Sequence, residues 1–143
     1  MIHHIDFAVT DFARSREFYI RALEPLGLTL VIDKWNGREL AGFGSPPDPE
    51  FWIRQGPLVT PRLHVAFTAA SREAVDAFHK TALQAGGRDQ GAPGLRPRYA
   101  EHYYAAYILD PDGHNIEAVC RLRDVAQVGS TPAVGAERYS RST

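Results

Sequence analysis

The chain has 143 residues, of which 44% are hydrophobic, and a formal net charge of −1 at pH 7. This length and composition predict a single domain with a substantial hydrophobic core. The near-neutral charge, without a run of basic residues, excludes the usual signature of a nucleic-acid-binding protein, and the single cysteine, Cys120, excludes an intrachain disulfide framework.

The first predicted element is a strand that starts at His4. Because alternate side chains of a strand face opposite sides, this strand has one apolar face, and His4 lies on the other. The following helix begins at Thr10-Asp11, where a side-chain oxygen can accept a hydrogen bond from a free backbone N–H. It is predicted to end near Gly27, since glycine readily adopts the left-handed conformation that ends helices.

After this helix, two or three strands are predicted in the segments LTLVIDKW, RELAGFG and EFWIRQ. Trp35 and Trp52 are candidates for lining an apolar pocket, although the alternation in EFWIRQ leaves open which face of that strand is inward. We expect Trp52 to contact the substrate.

An internal repeat relates the first part of the chain to the second. Residues from His4 align without a gap with residues from His64, and the matching pairs are His4/His64, Phe7/Phe67, Phe18/Phe78, Ala22/Ala82, Leu23/Leu83 and Gly27/Gly87. Such self-similarity predicts two copies of one structural unit.

The second copy repeats the order of strand, helix and further strands. His64 lies on the less apolar face of its first strand, and its helix is predicted to begin at Ser71. Further strands are predicted in YYAAYIL and HNIEAVC, with a poorer candidate near Gly87–Gln90. The segment between Gly91 and His102 is predicted to be a loop long enough to serve as a lid or binding loop, and residues 123–143 a tail that is mobile or wraps around a partner.

The sequence Asp110-Pro111-Asp112-Gly113 is a strong turn signal and predicts a hairpin between the last two strands. With Leu109 paired to His114, Tyr104 shares the face of Glu117. Tyr104 is therefore a predicted catalytic residue.

His4, His64 and Glu117 each fall on the polar side of a predicted strand. Two imidazoles and one carboxylate form a donor set that proteins offer to a divalent transition metal with open coordination positions. A pseudo-twofold axis between the copies would bring the two histidines to a common centre. The alternative for each residue taken alone is an edge or solvent-facing side chain.

These segments, and above all DPDGHNIE, resemble the vicinal oxygen chelate superfamily, also called the glyoxalase/bleomycin-resistance/dioxygenase family, over residues 1 to about 122. The resemblance implies an α+β fold of two tandem βαβββ modules, at about 1–58 and 61–122, with mixed sheets curled around a cavity and helices on the outer face. It also implies that His4, His64 and Glu117 hold one divalent transition metal per chain, either iron, manganese, zinc or nickel. The neighbouring His3 is expected to face away.

Relatives within this family differ in ways that the sequence can address. Glyoxalase I has a fourth, acidic ligand on the last strand of its first module, whereas EFWIRQ offers only Glu50 at its start. Extradiol dioxygenases use the same three ligands with iron, yet many have four modules. Fosfomycin-type thiol transferases share the ligand set and length and work as manganese-containing dimers, and bleomycin-resistance proteins share the fold without a metal.

The resemblance implies a metal-dependent enzyme that chelates two oxygens of a small substrate and stabilises an enolate or oxyanion, as a lyase, isomerase, thiol transferase or dioxygenase. In the segment RPRYAEHYY, His102 is a predicted proton shuttle, and Arg96 and Arg98 are predicted to bind an acidic substrate. The alternative function is a non-catalytic protein that sequesters a small molecule. The family also implies a homodimer.

No apolar stretch approaches the ~18 residues that a membrane span requires, and Met1–His4 lack the charged start and apolar stretch of a signal peptide. We therefore expect a cytoplasmic protein that binds no membrane. Cys120 is expected to be a buried apolar group in a reducing compartment.

Overall fold

The computed structural model describes residues 1–122, so the predicted tail lies outside the described residues. The first module contains β1 (Ile5–Val9), α1 (Phe12–Leu23) with a short 3-10 turn after it, β2 (Thr29–Trp35), β3 (Arg38–Ser45) and β4 (Asp48–Gln55). The second module contains β5 (His64–Thr68), α2 (Arg72–Gln84), β6 (Arg88–Leu95), β7 (Tyr104–Leu109) and β8 (Asn115–Cys120). The predicted α+β class with two tandem βαβββ units is confirmed.

Each module forms one four-stranded mixed sheet. The strand orders are β1-β4-β3-β2 and β5-β8-β7-β6, so the first strand of each module lies at one end of its sheet. That strand pairs in parallel with the last strand of the same module, while the remaining pairs are antiparallel. Among the described residues, no helix is long and apolar enough to cross a membrane.

The predicted helix starts are confirmed by their capping contacts. The side chain of Asp11 accepts a hydrogen bond from the backbone N–H of Arg14, and that of Ser71 accepts one from Ala74. These contacts satisfy backbone donors that an α-helix leaves free at its start. Gly27 follows the 3-10 turn with a φ of 77°, as expected for a left-handed cap.

The apolar faces of both modules contribute to one hydrophobic core. Phe18 of α1 and Phe78 of α2, which are equivalent in the repeat, are both fully buried. Phe51 and Phe67 come from different modules and pack edge to face with ring centroids 5.2 Å apart. Cys120 is buried on β8, as predicted.

Polar contacts also join the modules around the predicted turn. The hydroxyl of Tyr19 donates to Oδ2 of Asp110 over 2.6 Å, and the backbone N–H of Thr10 donates to Oδ2 of Asp112 over 2.8 Å. The ring of His114 packs against Phe7 with centroids 5.1 Å apart. The turn between β7 and β8 is therefore anchored on the first module.

The predicted register of the β7–β8 hairpin is wrong by one residue. Leu109 pairs with Asn115 rather than with His114, because Oδ1 of Asp110 accepts hydrogen bonds from the backbone N–H groups of both Asp112 and His114. These bonds hold His114 inside the turn. A shift of one residue turns every side chain of a strand to the other face.

The predicted loop between Gly91 and His102 is also corrected. The weak strand candidate near Gly87–Gln90 extends to Leu95 as β6, and the connection to β7 comprises only residues 96–103. Strand β6 tolerates Pro93 because it lies at the end of its sheet and pairs irregularly with β7. The glycine and proline content that suggests a loop therefore belongs to an edge strand.

Candidate functional site

A histidine and a buried glutamate meet on the polar face of the second sheet. Strands β5 and β8 are parallel neighbours with Ala66 opposite Glu117, and Nε2 of His64 lies 2.8 Å from Oε2 of Glu117. The glutamate side chain is 3% exposed, whereas that of His64 is 54% exposed. A buried carboxylate needs polar partners to offset its lost hydration, and the imidazole supplies one of them.

A tyrosine supplies the second partner of this carboxylate. The hydroxyl of Tyr103 donates to Oε1 of Glu117 over 2.6 Å. Burial, followed by the hydrogen bond and charge of Glu117, raises the pKa of Tyr103 well above its usual value. The phenol therefore remains a protonated donor at neutral pH, and each carboxylate oxygen has its own partner.

Tyr107 occupies the position directly opposite Glu117 in the β7–β8 ladder. Its ring centroid is 6.2 Å from that of His64, and the guanidinium carbon of Arg96 lies 5.5 Å from the Tyr107 ring centroid. Burial, and then the charge of Glu117, raise the pKa of Tyr107. We use "second-module site" for this group of His64, Tyr103, Tyr107, Glu117 and Arg96.

The segment between β6 and β7 continues this aromatic and cationic cluster. The guanidinium carbon of Arg98 lies 4.8 Å from the ring centroid of Tyr99, and its Nη2 donates to the Tyr99 hydroxyl over 2.9 Å. The Tyr99 ring in turn packs on Tyr103 with centroids 5.2 Å apart. Arg98 is thus linked to Glu117 through two intervening tyrosines, Tyr99 and Tyr103.

The structure separates Tyr104 from the second-module site. The hydroxyl of Tyr104 donates to Oδ1 of Asp76 on α2 over 2.8 Å, so its side chain faces the helix rather than Glu117. The geometric reason for choosing Tyr104 as a catalytic residue is therefore wrong. Tyr103 and Tyr107, rather than Tyr104, share the face of Glu117. The correct hairpin register would have identified Tyr107 from the sequence.

Among the described residues, no contact joins His102 to the His64–Glu117 pair in support of its predicted role as a proton shuttle. Its Nε2 is buried without a hydrogen-bond partner, and it lies 3.6 Å from Oε1 of the adjacent Glu101, which is beyond a good hydrogen bond. A catalytic role for His102 stays a prediction.

His4 lies apart from the other two predicted metal ligands. Its Nδ1 is 2.9 Å from Nδ1 of His3, and both residues are exposed. Within residues 1–122, no group of three or more His, Cys, Asp or Glu side chains is placed to hold a metal ion. One chain therefore brings together two of the three predicted ligands, His64 and Glu117.

A separate groove of about 510 Å³ covers the polar face of the first sheet. It is lined by His4, Asp6, Ile32, Trp35, Leu40, Pro47, Asp48, Pro49 and Trp52. Trp52 lies opposite Gly42 in the β3–β4 ladder, and a Cβ atom at Gly42 would come within 2.7 Å of the Trp52 ring. The missing side chain at Gly42 therefore makes room for this tryptophan. Its contact with a substrate stays a prediction.

The donor chemistry of the second module fits part of a metal centre. His64 and Glu117 offer an imidazole nitrogen and a carboxylate oxygen, both of which bind divalent transition metals. The hydrogen bond from Tyr103 to the second carboxylate oxygen resembles the outer contacts that orient metal ligands. Further protein donors would have to come from outside this pair.

Sequence and structure comparisons agree on the relatives of this chain. The model of the Glyoxalase/Bleomycin resistance protein/Dioxygenase superfamily matches residues 1–118. The solved structure of a glyoxalase/bleomycin resistance protein from Albidiferax ferrireducens T118 is 31% identical, with a TM-score of 0.66, over 83% of this chain and 97% of that chain. None of the curated proteins compared with the chain matches it.

Two more distant solved structures share the fold. A glyoxalase/bleomycin resistance protein/dioxygenase family enzyme from Burkholderia phytofirmans PsJN is 16% identical, with a TM-score of 0.65, over 85% of this chain and 98% of that chain. A glyoxalase-related enzyme from Fulvimarina pelagi is 20% identical, with a TM-score of 0.62, over 84% of this chain and 87% of that chain. Both likenesses bear on the fold alone.

Proposed function

The chain belongs to the glyoxalase/bleomycin resistance protein/dioxygenase superfamily, and from this premise we propose that it is a divalent-metal-dependent enzyme acting on a small oxygen-bearing substrate. The observation that carries the proposal is the buried carboxylate of Glu117, which lies 2.8 Å from the exposed imidazole of His64. A buried acid beside an accessible nitrogen donor is suited to ligating a cation.

The ligands that we propose are His64 and Glu117 from one chain and His4 from a second copy in a homodimer. His4 precedes β1 and His64 begins β5, and these strands are the end strands of their sheets. Within residues 1–122 of one chain, His4, His64 and Glu117 do not form a common group of three donors. A twofold arrangement that places the first module of one copy beside the second module of the other satisfies both observations.

The residues of the chain would have distinct tasks in this site. A divalent ion bound there supplies Lewis-acid stabilisation of negative charge on a substrate oxygen. Tyr103 holds Oε1 of Glu117, which leaves Oε2 directed at the shared centre. The ring of Tyr107 borders His64 and limits the space beside it.

Metal analysis of the purified full-length protein tests this function. We expect about one transition metal per chain, lost on His64→Gln or Glu117→Gln because each change removes a ligand. A matched control is His79→Gln, which breaks another histidine–carboxylate contact, the 2.9 Å contact between His79 and Asp89. A folded wild-type protein that takes up no metal, or a Glu117→Gln protein that retains it, contradicts the proposal.

Complementation between variants tests whether the site is shared by two copies. His4→Ala and Glu117→Gln should each fail to hold metal, whereas a co-expressed mixture should recover part of the metal content, because a heterodimer contains one complete ligand set. If the ligands come from a single chain, the mixture holds no more metal than either variant alone.

The groove of the first module favours a second candidate function, the sequestration of an apolar small molecule. The chain has two tryptophans, and both line this groove, which does not include His64 or Glu117. Tryptophan emission therefore reports occupancy of the groove. If the protein is metal-free and its tryptophan emission responds to small apolar ligands equally in wild type and Glu117→Gln, the binding function is supported over the enzymatic one.

A further inference from the structure

We propose that Arg96 binds the acidic group of the substrate, so that the substrate is a small organic acid whose carboxylate or other oxyanion lies beside the His64–Glu117 pair. This inference rests on the proposed function for the reacting end of the substrate. Arg96 is held in place by backbone contacts, has no acidic partner within residues 1–122, and shares Tyr107 as a neighbour with His64.

Arg96 is fixed at the start of the segment that joins β6 to β7. Its Nη2 donates to the carbonyl of Ala92 over 2.6 Å and its Nη1 to the carbonyl of Leu95 over 3.3 Å. Its backbone N–H donates to the carbonyl of Tyr103 over 2.7 Å. Because this half-buried guanidinium is already held in place, it loses little further conformational freedom when it binds a ligand.

The charge of Arg96 is not balanced by an acid within residues 1–122. By contrast, Arg16 pairs with Asp33 over 2.6 Å, and Arg54 pairs with Asp6 over 3.2 Å. The partners of the Arg96 guanidinium are two backbone carbonyls and Tyr107, which contributes both its ring and a side-chain hydrogen bond. A guanidinium carries more N–H donors than these partners use, and its planar fork matches the oxygens of a carboxylate or phosphate.

Arg96 and His64 both border the ring of Tyr107. The guanidinium carbon of Arg96 lies 5.5 Å from the Tyr107 ring centroid, and the ring of His64 lies 6.2 Å from it. Tyr107 is also opposite Glu117 in the ladder. A substrate whose anionic group lies on Arg96 would have a second oxygen directed at the centre that His64 and Glu117 are proposed to form.

Arg98, the other cation of this segment, is less suited to the role. It is exposed, and its guanidinium stacks on and hydrogen-bonds to the adjacent Tyr99, whereas Arg96 is half-buried and its guanidinium is also held by two backbone carbonyls. This firmer hold favours Arg96 for the anion contact.

Calorimetric titration of the full-length protein tests the inference with two probes, oxalate for the metal-loaded form and inorganic phosphate for the form treated with a chelator. We expect Arg96→Gln to weaken the binding of both probes by about tenfold or more, because a charge-assisted bidentate contact is lost. Arg96→Lys keeps the positive charge but lacks the planar guanidinium, so its affinity for the probes should lie between those of wild type and Arg96→Gln. Arg14→Gln is the control, because Arg14 is exposed on α1 and its substitution changes the net charge equally.

The outcomes separate this inference from the proposed function. If wild type holds metal but Arg96→Gln binds both probes as tightly as wild type, the inference is overturned and the function stands. If the protein holds no metal but phosphate binding still depends on Arg96, the anion site stands and the enzymatic proposal fails. Thermal melting of each variant identifies any that is unfolded, and Arg96→Lys then decides the matter: weakened binding with an unchanged melting temperature supports the site, and unchanged binding overturns it.

Discussion

The phenol hydroxyl of Tyr103 donates a 2.6 Å hydrogen bond to Oε1 of Glu117, while Oε2 of the same carboxylate lies 2.8 Å from Nε2 of His64. The two contacts divide the carboxylate between a fixed neutral donor and an accessible imidazole. Glu117 is therefore held in one orientation before any ligand arrives, and this preorganisation makes Tyr103 a positioning residue in the proposed site.

Substitution Tyr103→Phe removes only the hydroxyl and is expected to weaken metal binding by ~10–100-fold, because an unrestrained carboxylate is a poorer ligand. Competition with a chelating dye measures the affinity. Tyr104→Phe is the control, since it deletes the same atom from the neighbouring residue, whose hydroxyl bonds to Asp76 on the helix side. Equal metal affinity of Tyr103→Phe and wild type would rule out the positioning role.

The contact between Tyr19 and Asp110 predicts a large effect on stability. Both residues are buried, and Tyr19 donates to Oδ2 of Asp110 over 2.6 Å across the two modules. Tyr19→Phe leaves a buried carboxylate oxygen without this donor, so the free energy of unfolding should fall by about 1–3 kcal/mol. Urea denaturation measures the change.

A double-mutant cycle provides the control for this prediction. Asp110→Asn alone should also destabilise the protein, but Tyr19→Phe should cost much less in the Asp110→Asn background, because the charged acceptor is already gone. Strictly additive losses would show that the effect of Tyr19 comes from its packing in the core rather than from the hydrogen bond.

The close approach of the Trp52 ring to Gly42 predicts the effect of adding a side chain at Gly42. A Cβ atom at Gly42 would lie 2.7 Å from Cζ3 and 2.8 Å from Cε3 of Trp52, so Gly42→Ala should displace the indole and reduce stability by about 1–3 kcal/mol. A shift in tryptophan emission is the accompanying signal. Gly27→Ala is the control, because it strains a positive φ in open space and should lower stability without changing emission. Unchanged emission in Gly42→Ala contradicts the prediction.

The ion pair between Arg16 and Asp33 predicts a pH dependence. The hydrogen bond and charge of Arg16 lower the pKa of Asp33 below its ordinary value of 3.8. The folded state therefore binds this proton less readily than the unfolded state, and the stability that the pair provides above that value is lost as the pH falls through the lowered pKa. Because the Asp33 side chain is 43% exposed, we expect only ~0.2–1 kcal/mol.

Unfolding of wild type and Arg16→Gln at several pH values measures this effect. The difference between them should be largest near neutral pH and should shrink as the pH falls below 3.8 and Asp33 becomes protonated. Arg14→Gln, on the same helix without this contact, should show no such trend. A difference that stays constant across the range is inconsistent with an ion pair.

Local sequence signals determined the elements of this fold. Asp11 and Ser71 mark the helix starts because a short polar side chain caps free N–H groups there, and the repeat from His4 and His64 identified two equivalent modules. The alternation of apolar residues also placed His64 and Glu117 on the polar faces of their strands. Capping and alternation depend on residues close together in the chain, and the repeat compares two such local patterns, so a single sequence contains the information.

Only the tertiary structure decided which polar residues meet. The alternation of side chains along a strand does not specify how two strands align across a turn. Here the Asp110 side chain holds His114 in the turn and so sets the register. This register brings Tyr107 rather than Tyr104 to the face of Glu117. Likewise, His4 and His64 occupy equivalent positions in the repeat, yet within residues 1–122 they do not join Glu117 in one group of three donors. Such placements depend on contacts between distant segments, which no local pattern of the sequence specifies.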